Sequence, residues 1–419
     1  ASVLWGNSID DLGAAVRHLA RSGDTLLIKG PRHDGLSTVA RTIWESMASK
    51  RFIVDLTAIR ENIACIRRVC QPKTKILTML KAWAYGTESG RVANWLQQNG
   101  VDWIGVATAD EGAMARRSGI HLPILVTLLD PSDADKVVRY RLTPVVFSLS
   151  LAKALIQTAK RHNRTIDVHL KVDTGMGRLG VRPGEVREVV KLVLESGVLR
   201  PTGLMTHLSC ADDPAADPFT NEQIRLFELA VQEARKAGMK DFIRHVSATA
   251  GAVRFPHSQY DMVRIGLGLY GIYPGPQVQK EIELQLAVAL VGRIAHVTEL
   301  PRGHRVGYSA TYVVSEKSLK IGVVSMGYND GVPWRLSNRG TLMLQGRPAP
   351  IVGRVSMDSL AVDLTEHPNA QVGDEVLIFG RHEGAELRPE YVAEQAGTIP
   401  YELMVKVDNR RVQRLFVGD

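Results

Sequence analysis

Short apolar runs alternate with helix-like stretches over roughly 220 residues, and this alternation restricts the possible folds more than any other feature. The nine runs are residues 52–56, 76–80, 103–107, 123–127, 144–147, 168–172, 204–207, 244–247 and 262–265. Between them, stretches such as Gln223–Gly238 space their apolar residues as one helical face. We therefore predict parallel βα units that close into an eight-stranded (β/α)8 TIM-type barrel, with either the first or the fifth run outside the ring.

Polar side chains follow the ends of several runs. They are Lys81, Lys171 with Arg178, His207, Thr249 and Arg264. The carboxyl ends of barrel strands meet at one rim, which is where barrel active sites lie. Lys81 is the strongest candidate, because an amine that loses its hydration at a strand end becomes a nucleophile able to form an imine with a carbonyl group. The sequence thus predicts an active site at this rim.

A different pattern begins near residue 285. Leu319, Ile321 and Val323 alternate with small or polar residues, and the segment 288–298 is rich in β-branched residues. Turn sequences follow at residues 329–331, 345–346 and 373–374. We predict a barrel over residues 49–284, a mostly antiparallel β-domain over residues 285–419, and a short βα appendage over residues 1–48.

Composition narrows the class of protein. The chain has 419 residues and a formal charge of +8, but its basic residues are scattered, which disfavours nucleic acid and fits anionic small ligands. No apolar stretch reaches the length of a membrane helix, and Asp10, Asp11 and Arg17 predict a cytoplasmic chain without a secretion signal. The three cysteines have no metal-ligand spacing, so we expect no metal site and reduced thiols.

Eight motifs in both predicted domains carry a family resemblance. They are Lys81-Ala-Trp-Ala-Tyr-Gly86, Lys171-Val-Asp-Thr-Gly-Met-Gly-Arg-Leu-Gly180, Met205-Thr-His-Leu208, Asp261-Met-Val-Arg264, Gly307-Tyr308, Met326-Gly-Tyr-Asn-Asp-Gly331, Gly353-Arg-Val-Ser-Met-Asp358 and Thr398-Ile-Pro-Tyr401. In this order they resemble the pyridoxal-phosphate-dependent alanine racemases. The fold of that family, a βα barrel followed by a β-domain, agrees with the prediction made from the alternating runs.

The resemblance implies a two-base reaction. Lys81 would hold pyridoxal 5'-phosphate and act as the base on one face of the substrate, and Tyr308 would act on the opposite face. In this family the tyrosine reaches the partner's barrel, so the resemblance also implies a homodimer with shared active sites. A free tyrosine has a pKa of about 10, so Tyr308 needs a positive neighbour, and His207 beside Arg264 matches the family arrangement.

The resemblance also assigns the binding residues. Those implied for the cofactor are Lys81, Tyr85, His207, Thr249, Arg264, Gly266, Leu267 and Tyr401, and those implied for the substrate or its entrance are Arg178, Met357, Asp358 and Tyr328. Arg264 would face the pyridine nitrogen and leave it unprotonated, because a guanidinium cannot accept a hydrogen bond. Lys171 matches a lysine that many family members carbamylate.

Trp83 and two segments of the chain resemble a narrower group within this family. Trp83 and the segment 107–112 look more like racemase domains fused to a cell-wall ligase, and residues 23–46 resemble the C-terminal end of the ligase that adds D-alanyl-D-alanine to the muramoyl tripeptide.

The alternatives to an alanine racemase are a racemase of other amino acids, a basic amino-acid decarboxylase of the same fold, and a non-catalytic cofactor carrier. The decarboxylases use a cysteine of the β-domain, whereas all three cysteines here precede it.

Overall fold

The computed structural model describes residues 48–407 and 410–418. The predicted appendage, apart from Ala48, therefore lies outside the described residues. The rest divides into two compact units: residues 58–285 form one, and the described residues before 58 join residues 286–418 in the other.

The first unit is an eight-stranded parallel barrel, as predicted. Its strands are β2 (Lys75–Met79), β3 (Trp103–Val106), β4 (Ile124–Val126), β5 (Thr143–Val146), β6 (Ile166–Lys171), β7 (Leu199–Met205), β8 (Ile243–His245) and β9 (Met262–Ile265). Each strand pairs with the next one along the chain from β2 to β8, and β9 returns to pair with β2. A parallel bridge between Ala248 and Arg264, with the Arg264 N–H donating to Ser247 O at 2.9 Å, closes the ring between β8 and β9.

One apolar cluster fills part of the barrel interior. Its buried members are Leu77, Trp103, Leu125, Val145, Met205 and Met262, each from a different strand. Because successive side chains of a strand point to opposite faces, one face of every strand fills the interior while the other packs against the surrounding helices. The interior is thus a packed core, and ligands are confined to its ends.

One helix precedes β2, and other helices follow most of the barrel strands. They are Leu56–Val69, Ser89–Gln98, Ala109–Arg117, Ala134–Tyr140, Leu149–Arg161, Val186–Glu195, Asp217–Lys236, Thr249–Arg254 and Pro276–Glu281. The predicted helical face within 223–238 is present, because Ile224, Phe227 and Val231 recur every three or four residues and are buried. No helix of the described ranges combines the length and the apolar character that crossing a bilayer requires.

The second unit is a mostly antiparallel β-domain, again as predicted. Its strands are β1 (Arg51–Asp55), β10 (Val288–Pro301), β11 (Arg305–Val306), β12 (Tyr312–Val313), β13 (Ser318–Val324), β14 (Thr341–Leu344), β15 (Arg347–Val352), β16 (Leu360–Asp363), β17 (Glu375–His382), β18 (Ala385–Leu387) and β19 (Gln413–Val417), with helices Pro389–Ala396 and Pro400–Val405. Six strands are hydrogen-bonded side by side in the order β10, β13, β16, β15, β14 and β17. A further pairing between β17 and β10 closes them into a ring. The predicted turn at Gln345–Gly346 joins β14 to β15.

Of the nine apolar runs, the first is the one that lies outside the barrel ring. The sequence predicts β1 as part of the barrel domain, whereas in the structure it pairs antiparallel with β10 and parallel with β19. Phe52 is fully buried against Phe379, with ring centroids 6.1 Å apart. The reason is that both edges of this strand find partners in the β-domain, so the barrel unit begins only with the following helix.

An ion-pair cluster joins β1, β10 and β17. Glu375 contacts Arg51, and it accepts from Arg293 at 3.1 Å and His382 at 2.8 Å. Burial opposes ionisation of Glu375, but the His382 hydrogen bond and the charge of Arg51 hold its pKa well below the usual range. Glu375, His382 and Glu383 are the one group in the described residues that is spaced as metal ligands are. The two arginines already neutralise Glu375, which disfavours a divalent cation there.

Candidate active site

The barrel residues predicted for the site all lie at or just beyond the carboxyl ends of their strands. Lys81 follows β2 by two residues, Lys171 ends β6, His207 follows β7, and Thr249 opens the helix after β8. Arg264 lies within β9, and Gly266 and Leu267 come directly after it. The structure therefore places these predicted residues at one rim of the barrel unit.

Lys81 begins a left-handed turn. The four residues after it, Ala82, Trp83, Ala84 and Tyr85, have φ values of 52°, 56°, 53° and 58°. Left-handed residues with a side chain cost about 1–2 kcal/mol each, so the surrounding contacts must hold this turn in place. Its consequence is that Lys81 and Tyr85 both reach the mouth of the barrel from one short segment.

The ionisation of Lys81 depends on its neighbours in the mouth. Partial desolvation lowers the pKa of its amine, the positive charge of Arg178 lowers it further, and the carboxylate of Glu111 opposes both effects. A lowered pKa leaves more of the amine neutral at physiological pH. The Lys81 amine is therefore adapted to act as a nucleophile or a base.

Two hydroxyl groups and a glycine-rich segment form a cradle beside Lys81. A Cβ atom on Gly266 would lie 2.8 Å from the Tyr85 hydroxyl, and one on Gly268 would lie 2.6 Å from the Thr249 methyl group and 3.0 Å from its hydroxyl. Only glycine permits backbone and hydroxyls to approach so closely. Hydroxyl groups and backbone N–H groups are common ligands of phosphate, so this cradle fits a phosphate group.

Arg264 is a buried cation that hydrogen-bonds to neutral groups. Its Nη2 donates to Thr206 O at 2.9 Å, Val246 O at 2.7 Å and His207 Nδ1 at 2.9 Å, and its Nη1 donates to His245 Nδ1 at 3.2 Å. It makes no ion pair with a carboxylate of the described residues, and burial lowers its pKa to about 10. It remains protonated at neutral pH, and its Nε takes part in none of these bonds.

These bonds determine where the histidines carry their protons. A guanidinium only donates, so Nδ1 of His207 and Nδ1 of His245 accept, and each ring has its proton on Nε2. His245 Nε2 then donates to His169 Nδ1 at 2.9 Å. Burial, aided by the charge of Arg264, lowers the pKa of His207 to about 3. His207 is therefore neutral, and the positive charge of this group belongs to Arg264.

Lys171 and Arg178 belong to the segment after β6. Lys171 is buried, and burial with the charges of Arg264 and Arg178 lowers its pKa to about 8, although Asp173 opposes this. The loop that carries Arg178 folds back tightly at Gly180, where φ is 126° and a Cβ would lie 2.5 Å from the backbone nitrogen of Asp173. Glycine at this position therefore allows the loop to place Arg178 near Lys171.

The β-domain carries the remaining predicted residues. Tyr308 is 71% exposed, more than any other large hydrophobic side chain of the described part. It follows Gly307, and the next residue, Ser309, accepts a hydrogen bond from Arg354 at 2.7 Å. Tyr401 lies on the helix Pro400–Val405 and is 38% exposed. Tyr308 therefore lies at the surface of the β-domain.

Tyr328, Met357 and Asp358 lie together in this domain. The Tyr328 N–H donates to Ser356 O at 3.0 Å, which joins the two loops that carry the three residues. Arg411 donates to Asp358 at 2.6 Å and to the buried Asp330 at 2.9 Å, and so ties both loops into one charged network. Tyr328 also lines a cleft of about 790 Å³ within the β-domain.

Comparisons with known proteins agree with these two units. Residues 54–274 match the alanine racemase N-terminal domain, and residues 287–416 match the alanine racemase C-terminal domain. Together they cover most of the chain. The chain belongs to the alanine racemase family.

Individual alanine racemases are similar over almost their whole length. Those of Symbiobacterium thermophilum and Bacillus subtilis (alanine racemase 2) are each 37% identical, over 87% of this chain and 96% and 94% of the relatives. The crystal structure of the alanine racemase from a D-cycloserine-producing Streptomyces lavendulae has a TM-score of 0.84 at 30% identity, covering 89% of this chain and 98% of that one. A Bacillus anthracis alanine racemase with bound L-Ala-P has a TM-score of 0.82 at 28% identity, covering 89% and 96%.

Three residues that support the site belong to none of the sites predicted from the sequence. His245 and His169 support Arg264 from inside the barrel, and Glu111 contacts the residue after Lys81. Glu111 lies in a Thr108-x-x-Glu capping box, which a sequence search can find. The two histidines are fully buried residues of strands β6 and β8. The sequence alone does not distinguish a histidine that only packs there from one that supports Arg264.

Proposed function

We propose that this chain interconverts L-alanine and D-alanine with pyridoxal 5'-phosphate, and so supplies D-alanine for peptidoglycan in the cytoplasm. The observation that carries this proposal is the convergence of Lys81, the hydroxyl cradle and Arg264 at one barrel rim in a chain of the alanine racemase family. A racemase of other amino acids or a decarboxylase is not favoured by the relatives, which are alanine racemases throughout both domains.

The residues present fit pyridoxal phosphate. Tyr85, Thr249 and the backbone of Gly266 and Leu267 would hold its phosphate, and Tyr401 would add a hydroxyl. Lys81 would hold the cofactor covalently. When bound, the cofactor withdraws electrons from the α-carbon of an amino acid and so makes its hydrogen acidic.

Two groups would move the α-proton. Lys81 removes or returns it on one face of the α-carbon, and Tyr308 of the partner subunit does so on the other. A second group is needed because an amine fixed on one face cannot protonate the opposite face. The high exposure of Tyr308 supports a role in a homodimer with shared active sites.

Arg264 and His207 would set the charge of the site. The Nε of Arg264 can only donate, so a ring nitrogen that faces it stays unprotonated. That limits electron withdrawal and disfavours side reactions that need a long-lived carbanion. Neutral His207 offers an Nε2–H to a neighbouring oxygen, and the nearby charge of Arg264 stabilises an anionic tyrosine there.

The remaining predicted residues would select the substrate. Arg178 would pair with the substrate carboxylate, which Arg suits through its planar donors. Met357 and Asp358 would limit the space beside the α-carbon so that a methyl group fits best, and Tyr328 would form part of the entrance.

Lys171 is the candidate for carbamylation. Unmodified, it sets a buried ammonium beside Arg178 and Arg264, which is unfavourable. The ammonium of Lys171 first loses a proton. The neutral amine then attacks CO2, which forms an N–C bond, breaks the π bond of one C=O group and releases a second proton, so that a charge of +1 becomes −1 overall. The pKa of about 8 leaves roughly one amine in ten neutral at pH 7, far more than for an ordinary lysine.

We expect purified protein in bicarbonate buffer to carry the additional mass of one CO2 on Lys171. At a constant concentration of dissolved CO2, the rate of modification should rise with pH up to about 8 and then level off, because the neutral amine is the reacting form. Native mass spectrometry would measure the added mass, which acid should remove, and Lys171→Ala is the control. Modification on another lysine, or none at saturating bicarbonate, contradicts this role.

The covalent role of Lys81 is tested by borohydride reduction. The purified protein should be yellow and lose this absorbance on reduction, and peptide mass spectrometry should find the cofactor on Lys81. Lys81→Ala should show neither the colour nor the adduct, while Lys75→Ala, at the other end of β2, should show both. An adduct on Lys171 would show that Lys171, and not Lys81, holds the cofactor. The absence of any adduct would reject the proposed chemistry.

We also propose that residues 1–48 are related to the C-terminal end of the muramoyl-tripeptide ligase that they resemble. This proposal rests on the sequence of residues 23–46 alone. Deleting residues 1–47 should leave alanine racemisation within about two-fold, because every residue assigned above lies beyond them. A loss of racemisation in a folded deletion variant would show that the appendage is part of the racemase.

A further inference from the structure

The turn that carries Lys81 needs support at both ends. At its far end, Ala84 O accepts from the Tyr270 hydroxyl and from the Thr87 hydroxyl, both at 2.8 Å. At its near end, the peptide N–H that joins Lys81 to Ala82 donates to Glu111 Oε1 at 2.6 Å. The left-handed turn is thus held by Tyr270 and Thr87 on one side and by Glu111 on the other.

Glu111 does more than cap its own helix. Its N–H donates to the Thr108 hydroxyl at 3.3 Å, and its Oε2 accepts from the N–H groups of Thr108 at 3.3 Å and Ala107 at 2.7 Å. These contacts complete the capping box of the helix Ala109–Arg117. A capping box accounts only for Oε2, so the bond from Oε1 to Ala82, 29 residues away, is an additional contact.

One carboxylate therefore joins the ends of two adjacent barrel strands. Oε2 binds the backbone that follows β3, and Oε1 binds the backbone that follows β2. Both bonds are short and have a charged acceptor, which makes them stronger than ordinary hydrogen bonds. A glutamine could not replace it, because its amide would present a donor to one of the two N–H groups.

We propose that Glu111 is a positioning residue for the reaction: its carboxylate fixes the left-handed turn and so sets the place of Lys81 and Tyr85 in the mouth of the barrel. This proposal rests on the proposed function for its effect on catalysis, but its structural part stands without it. Glu111 acts through the backbone of Ala82 and is not itself a catalytic residue.

Glu111→Gln and Thr108→Ala separate positioning from capping. Both weaken the capping box, but only the first removes one of the two bonds that join the strand ends. Hydrogen–deuterium exchange of a peptide spanning residues 80–87, measured in the holoenzyme by mass spectrometry, reports on the turn directly. In Glu111→Gln we expect exchange about ten-fold faster or more, a lower kcat by a similar factor and little change in KM, because a bond to a charged acceptor is lost. In Thr108→Ala, exchange in this peptide and kcat should stay within about two-fold of the wild type.

Equal exchange in both variants would overturn the proposal, since Glu111 would then only cap its helix. If Glu111→Gln does not fold, Glu111→Asp provides the same test, because it keeps the charge at the helix start but is too short to reach Ala82 as well. Faster exchange in Glu111→Gln or Glu111→Asp, together with a wild type that does not racemise alanine, would reject the proposed function and retain the positioning role. Normal racemisation in a variant whose turn exchanges ten-fold faster would reject the catalytic part alone.

Discussion

Tyr308→Phe is expected to slow deuterium exchange into L-alanine by a factor on the order of 10²–10⁴, the usual cost of losing a positioned acid or base. In the proposed reaction Tyr308 takes the α-proton of L-alanine, and phenylalanine has no group that can accept it. Lys81 takes the proton of D-alanine, so exchange into D-alanine should fall far less. The measurement follows both enantiomers by NMR in deuterated water.

A matched control makes this asymmetry interpretable. Tyr391→Phe removes the same hydroxyl from another exposed tyrosine of the β-domain, whose partner is Gln395. The Tyr391→Phe variant should exchange deuterium into both enantiomers at the wild-type rate. An equal loss for both enantiomers in Tyr308→Phe would mean that Tyr308 is structural, and the two-base reaction would have to be abandoned.

Mixing Lys81→Ala with Tyr308→Phe should restore activity that neither variant has alone. If each site takes Lys81 from one subunit and Tyr308 from the other, one of the two sites in a mixed dimer receives both intact residues. Each single variant should retain less than about one hundredth of the wild-type rate, so that restored activity stands out clearly.

The control for this experiment is proof that subunits have exchanged. Differently tagged variants, purified through both tags, provide dimers of known composition, and the wild type treated in the same way gives the reference rate. Such a mixed dimer should approach half of that rate. Confirmed mixed dimers without activity would mean that Tyr308 serves its own chain or has no catalytic role.

The barrel could be predicted because the pattern that indicates each strand lies within a short segment of the sequence. Each strand is a short apolar run between helical stretches, and polar residues such as Lys81 and Arg264 appear where the runs end. The place of β1 could not be predicted in this way. Its run of Arg51–Asp55 looks like a barrel strand, and only pairing with β10 and β19, more than 230 residues further on, assigns it to the β-domain.

The sequence revealed the reactive residues of the site better than it revealed the hydrogen bonds and charges that support them. The capping box of Thr108 and Glu111 can be found in the sequence, but the bond from its second oxygen to Ala82 depends on how β2 and β3 are aligned. Likewise, the family resemblance implies that His207 lies beside Arg264, whereas the protonation of His207 follows from the donor-only guanidinium and from burial. These properties arise from tertiary contacts that no single motif contains.

The most direct test of alanine racemisation is to incubate the purified wild-type protein with L-alanine in deuterated water and follow both the α-deuterium content and the chirality. We expect deuterium to enter at the α-carbon while the sample approaches an equal mixture of L-alanine and D-alanine, with exchange into L-leucine or L-lysine far slower. Deuterium entry with retained L-configuration, or release of CO2 from lysine, arginine or ornithine, would contradict alanine racemisation as the function of this chain.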